Sequence, residues 1–414
     1  MSTVTRHRVL RMVGRDPHEP GRASTPLELL FDLTFVIAFG TAASAFSHEL
    51  VSGHVTDGII SFLFATFAVS WAWINFSWFA SAYDTDDWVF RVMTMVQMVG
   101  VLVLALGLPQ MFASIAAGEH VNNGVMVFGY VIMRIAMVGQ WARAAHQDPG
   151  RRLACMAYIV TILVAQAGWI VLALAHTNVQ TMLACVAVLI AIELAGPLIA
   201  ETRLGGTPWH AHHIAERYAL LVIVTLGEAL IGTMATLIGL VDPDQTGISI
   251  PFDVAVVGLA GVGLTFGMWW IYFILPGGEI LAARRSRSFG WGYGHMFVFG
   301  SIVAVGSGIH TAAYLIEGES ELSPLSTLLC VAIPLAVYIT AIYLLYCVLT
   351  RSVDIFHGSL VAGSAAVLLA ALLLNAAGAS IVWCLLVMAC VPWVTVIGYE
   401  LRRYRHSETV LADL

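Results

Sequence analysis

Residues 24–40 read STPLELLFDLTFVIAFG. The run is apolar enough to begin a membrane span, yet it carries Glu28 and Asp32 one helical turn apart. Whether it is a surface helix or a bilayer entry decides the fold, and composition answers. Of 414 residues, 59% are hydrophobic and 11% are charged, where a soluble globular protein carries about 25% charged residues. Mean hydropathy is +0.86. The chain is therefore read as a polytopic membrane protein. At about 20 apolar residues per span, its length allows about twelve helices.

Working outward from 24–40, apolar runs bounded by polar punctuation place spans near 26–47, 58–80, 88–113, 123–146, 153–174, 180–201, 213–240, 252–275, 290–316, 323–350, 356–375 and 379–401. Charge tests the count. All 19 basic residues are Arg, and eighteen of them fall on alternate connections. These are Arg6, Arg8, Arg11, Arg15 and Arg22, then Arg91, then Arg143, Arg151 and Arg152. The series continues with Arg203 and Arg217, then Arg284, Arg285 and Arg287, then Arg351, and finally Arg402, Arg403 and Arg405. The intervening loops carry acids, among them Glu119, Asp242, Asp244, Glu317, Glu319 and Glu321. The positive-inside rule makes the Arg side cytoplasmic and puts both termini inside. The expected fold is an all-α transmembrane bundle. A basic cytoplasmic segment, 1–24, precedes a transmembrane domain, 25–401, and a cytoplasmic tail, 402–414, follows it. Residues 25–202 and 207–401 are candidate parallel six-helix halves, a plan found among transporters.

The first 24 residues lack an apolar h-region, so an uncleaved first span is expected to serve as the signal. Cys155, Cys185, Cys330, Cys347, Cys384 and Cys390 lie in or beside apolar runs with no C-x-x-C pair, which favours a buried apolar role over a disulfide or zinc framework.

Two stretches carry a resemblance. TPLELLFDLTFVIA at 25–38 and HHIAERYALLVIVTLGEALIG at 212–232 resemble, in order, the two signature patterns of the low temperature requirement protein A family of bacterial multipass membrane proteins. The matching positions are Pro26, Glu28, Asp32, His213, Glu216, Arg217, Gly227 and Glu228, and Leu30 stands where that family often has an aromatic residue. The resemblance implies a bacterial membrane location and a multipass fold. The family is named for a growth phenotype, so the resemblance assigns no reaction.

The residues themselves point to charge handling. Thr25-Pro26-Leu27-Glu28 fits a capping box, which gives Glu28 a structural role at the positive end of a helix. Asp32 lies one turn deeper on the same face. A carboxylate there turns into the bundle, paired with Arg91 or Arg217 or open to a wet cavity. Glu228 sits in the middle of span seven, on a stripe with His213, Arg217, Leu221, Val224 and Thr225. Gly227 and Gly232 beside it would let another backbone approach. Glu193 lies mid-span before Gly196-Pro197, and the proline frees its backbone carbonyl. Arg134 is the one Arg deep in a span and needs an acid, since a guanidinium keeps its proton. Each deep charge costs about 2.5–3.5 kcal/mol on translocon scales. If Arg134 matches one acid and a surface-side Arg matches Asp32, one deep acid remains. That acid must hold a proton, a cation or a substrate group, or be a permanently protonated hydrogen-bonding carboxyl.

Asn75, Gln97, Gln140, Gln166, His295 and His310 read as interhelical hydrogen bonds, and Trp71, Trp73, Trp78 and Trp88 as an interfacial belt. The histidines of WHAHH at 209–213 have no acid or Cys to complete a metal set, and GWGYGH at 290–295 does not follow a strand as a nucleotide loop does. No cofactor, metal, nucleic-acid partner or enzymatic reaction is expected. The leading expectation is a proton- or cation-coupled secondary transporter of a small solute, carried by Asp32, Glu193, Glu228, Arg134 and Arg217. An ion channel is the near alternative. A membrane-maintenance or scaffold protein linked to growth at low temperature is the alternative without flux. The expected partners are the lipid bilayer, protons or a small cation, and a small solute, with oligomerisation left open.

Overall fold

The structure, a computed structural model, describes residues 9–118, 120–175, 177–240, 252–274, 276–351 and 354–401. Arg6, Arg8, Arg402, Arg403 and Arg405, the loop acids Glu119, Asp242 and Asp244, and the 402–414 tail lie outside the described residues. Among the described residues there is no β-strand, and twelve helices are long and apolar enough to cross a membrane. In order these are α1 (Pro26–Val51), α2 (Val55–Tyr83), α3 (Trp88–Ala116), α4 (Gly124–Gln147), α5 (Arg152–Leu174), α6 (Val179–Arg203), α7 (Ala211–Leu240) and α8 (Phe252–Phe273). After a short α9 (Gly277–Ala283) come α10 (Ser288–Glu317), α11 (Pro324–Thr350) and α12 (Ile355–Ala376). The last span is made of two pieces, α13 (Ile381–Ala389) and α14 (Val391–Leu401).

Local chemistry sets the ends. Asp87, Asn178 and Ser323 cap α3, α6 and α11 by accepting from the backbone N–H of Phe90, Thr181 and Ser326. Gly318 closes α10 in the left-handed conformation, at φ 77°. The span read at 379–401 is present, built from two helical pieces. Pro392 has no N–H to offer the carbonyl one turn back, and the helix breaks at Cys390. Pro109, Pro197 and Pro334 sit inside continuous helices. Long apolar side chains such as Leu106, Ile135, Leu163 and Val171 remain exposed along the spans, as a hydrocarbon surrounding requires.

The chain forms two compact units. The first comprises the residues up to Ala42 together with Phe67–Arg217. In it α3, α4, α5 and α6 pack each against the next. Helices α3 and α4 meet backbone to backbone, since a Cβ on Gly129 would fall 2.2 Å from the Leu104 nitrogen. The second unit comprises Ala43–Thr66 and the residues from Tyr218 onward. There α10 packs on α11, α11 on α12, and α8 on both halves of the last span.

Candidate functional site

In the first unit, α1 begins with the capping box its sequence spells. The Glu28 carboxylate accepts from the Thr25 backbone N–H at 2.8 Å, and the Thr25 hydroxyl accepts from the Glu28 N–H at 3.3 Å. One turn on, Asp32 faces inward and is 2% exposed. Arg217 grips it with both terminal nitrogens, Nη1 to Oδ2 at 2.9 Å and Nη2 to Oδ1 at 2.7 Å. This two-pronged, charge-assisted geometry is the strongest form of such a pair. The Trp73 indole N–H donates to Oδ1 at 2.7 Å, and the Trp73 ring also lies beside the guanidinium. Of the two guanidinium groups considered for Asp32, Arg217 takes it. Arg91 is engaged elsewhere, with the half-exposed Asp86 at 2.8 Å. His213, one turn before Arg217, faces Glu28, with Nε2 3.2 Å from Oε1 and 3.4 Å from Oε2. Glu216 accepts from the Ser24 backbone N–H at 3.2 Å.

The same unit holds a second centre. Arg134 of α4 donates to Glu193 Oε2 of α6 at 2.8 Å. The Trp71 indole donates to Oε2 at 2.7 Å, the Tyr130 hydroxyl to Oε1 at 2.9 Å, and the Trp169 indole to Oε1 at 3.3 Å. Arg134 also donates to the Tyr130 hydroxyl and lies over its ring. Both carboxylate oxygens of Glu193 thus face donors, and both side chains of the ion pair are buried.

These contacts correct the aromatic reading. Trp71 and Trp73 are not an interfacial belt, for both are buried and present their N–H groups to carboxylates. Trp88 is exposed, and Trp78 packs edge-on to Trp209. The sequence reading missed Tyr130 and Trp169 as well. Tyr130 carried a signal, since it stands one turn before the deep Arg134.

Glu228, in the second unit, differs. It is 5% exposed, and among the described residues its carboxyl has no hydrogen bond and no ion pair. Helix α10 presses on its backbone, since a Cβ on Gly306 would lie 2.6 Å from the Glu228 carbonyl carbon. Gly232 meets the Gly306 carbonyl oxygen just as closely. Gly227 faces open space, so only one of the two glycines allows a close backbone approach.

The auxiliary polar residues divide. Gln97 donates to Gln140 across α3 and α4 at 2.8 Å, whereas Asn75 donates to the Trp71 carbonyl within its own helix. His295 and the Tyr272 hydroxyl are 3.0 Å apart, His310 stacks on Tyr314, and neither amide atom of Gln166 has a partner among the described residues. The His210 ring faces the Glu19 carbonyl at 3.0 Å and accepts from the His213 N–H. Among the described residues, no group of three or more His, Cys, Asp and Glu is placed to hold a metal ion.

Outside the spans, three groups show environmental shifts. Burial pushes the Asp84 carboxyl up to about 6, helped by the charge of Glu28 and opposed by Arg22. Burial acts the same way on Asp87, but the Arg143 guanidinium and the N–H groups of Phe90 and Leu10 outweigh it and hold that carboxyl below its ordinary value. Burial lowers His210.

Comparison with known proteins gives one family. The model described as "Bacterial low temperature requirement A protein (LtrA)" matches residues 23–392. A protein of Rhizobium meliloti (strain 1021), itself described as uncharacterized, is 25% identical over 300 residues, covering 68% of this chain and 67% of that protein. No solved structure matches.

Proposed function

The chain belongs to the bacterial low temperature requirement A family, and from that premise we propose that it is a proton- or cation-coupled secondary transporter of a small solute. The observation that carries the reading is the lone Glu228. Asp32 and Glu193 are each matched by a guanidinium, so their charges cancel where they stand. Glu228 has no such partner among the described residues. An ionised carboxylate left alone in hydrocarbon is costly, and intramembrane acids without partners mark ion and proton pathways. Glu228 therefore takes and releases a proton, or holds a small cation, while the Arg-matched acids fix the helices around it. On this reading the chain moves a solute and makes or breaks no covalent bond. It sits in the cell membrane with both termini inside.

The test is flux into proteoliposomes under an imposed pH gradient, with a pH-sensitive dye inside and a panel of small solutes outside. Gradient-driven, saturable uptake that E228Q abolishes and R91A leaves intact is the expected result. Conductance without saturation in planar bilayers would make the chain a channel. If neither flux nor conductance appears and E228Q changes nothing, the coupled-transport reading falls. The scaffold reading would then stand, and the locked Asp32–Arg217 and Glu193–Arg134 pairs already favour it as static ties between helices.

A further inference from the structure

The acids buried in the first unit share one rule with one exception. Asp32, Asp84, Asp87, Asp148 and Glu193 each have an Arg within ion-pair distance: Arg217, Arg22, Arg143, Arg151 and Arg134 respectively. Glu28 alone faces an imidazole. The side chains of Glu28 and His213 are both 0% exposed, with 3.2 Å between Nε2 and Oε1. A guanidinium keeps its proton at any physiological pH, and an imidazole does not. The Glu28–His213 pair is thus the one buried acid–base pair of this unit, among the described residues, whose base can give up its proton near neutrality.

We propose that Glu28 and His213 together form a proton-binding site. With Nε2–H directed at Glu28, the free lone pair of the imidazole is on Nδ1, which has no hydrogen-bond partner among the described residues. A proton from solvent adds there, forming one N–H bond and turning a carboxylate beside a neutral ring into an ion pair. Its loss restores the starting state. The groups around the site act in both directions. Burial, Arg217 and Arg22 oppose uptake, Glu28 favours it, and Asp32 and Asp84 add further negative charge close to Glu28. His210, whose ring accepts from the His213 N–H, and Glu216, on the next turn, complete the titratable set. Glu28 is also half of the capping box that starts α1, so the site's charge is coupled to a helix end. The site is independent of Glu228 and stands or falls without it.

The experiment is nitrogen NMR of the full chain labelled at histidine and reconstituted in lipid. His213 is assigned through His213–Ile214, the only His–Ile step in the sequence. Its ring signals should report the gain of one proton as pH is lowered across the range from about 8 to 5. In E28Q, which can still form the capping box, the midpoint should fall by about one to three pH units. E228Q should leave it in place. A His213 signal that stays constant across the range, or a midpoint unmoved in E28Q, overturns the proposal. If E28Q does not fold, the wild-type titration decides, and a D84N shift in the same direction serves as the second variant.

Discussion

At the scale of single residues, burial decides which ion pairs matter. Arg217 is fully buried against Asp32, so R217A leaves a buried carboxylate with no counter-charge and only the Trp73 indole N–H to face it. Such a loss costs about 3–5 kcal/mol, and R217A should unfold in detergent far below the wild type. R91A removes a pair that is 42% and 39% exposed and should cost about 0–1 kcal/mol. Thermal unfolding of the two variants side by side checks the contrast, and equal losses would refute it. Asp84 adds a pH signature. Burial raises its carboxyl to about 6, above the unfolded value of about 3.9. Its contribution to stability is therefore complete below the unfolded value and is lost as pH rises through about 6. D84N should flatten that part of the profile of unfolding temperature against pH. The sequence showed part of this residue-level picture. Thr25 and Glu28 spell the capping box because its partners are three positions apart. Trp73 could not be assigned to Asp32, because nothing in a tryptophan's neighbours distinguishes an indole at the lipid interface from one donating into the bundle.

At the scale of helices, contact depends on which glycines face a neighbour. Gly306 and Gly232 bring α10 and α7 together until a Cβ would strike backbone, with Glu228 carbonyl carbon 2.6 Å from the one on Gly306. G306A must push the helices apart and should cost about 1–3 kcal/mol, as overpacking does. Gly227 lies five residues before Gly232 but meets nothing within 4 Å. G227A should instead gain up to about 1 kcal/mol from helix propensity. Unfolding midpoints of the two variants decide it, and a destabilised G227A would mean an unseen neighbour. The helices themselves were legible, because apolar runs of span length have few alternatives in a chain this hydrophobic. The break at Cys390 was not read, although Pro392 is its visible cause. Pro197, Pro109 and Pro334 show why, for they lie inside helices that continue, so a proline in the sequence does not say whether its helix will break.

At the scale of the whole molecule, an even number of spans and alternating Arg form one argument about sidedness. Twelve candidate spans return the chain to the side on which it began. Eighteen of the 19 basic residues then fall on that side, and adding or dropping one span would move every later one to the opposite face. The remaining one, Arg134, is held inside the bundle by Glu193, and Arg217 is likewise buried against Asp32, so neither carries a vote on orientation. Short basic loops set orientation and acidic ones contribute little, so Glu317 at the end of α10 and Glu319 and Glu321 in the connection to α11 do not oppose this assignment. Reporters fused to the N-terminus and the C-terminus should therefore both read cytoplasmic. A reporter between α10 and α11 should read the opposite side. Placing three Arg in that acidic loop should produce molecules of mixed orientation, visible as partial signal from every reporter. A C-terminus that reads outside while the N-terminus reads inside would make the number of crossings odd. The two-piece last span, α13 and α14, would then be the first place to look, since a helix that breaks in mid-membrane can turn back without crossing.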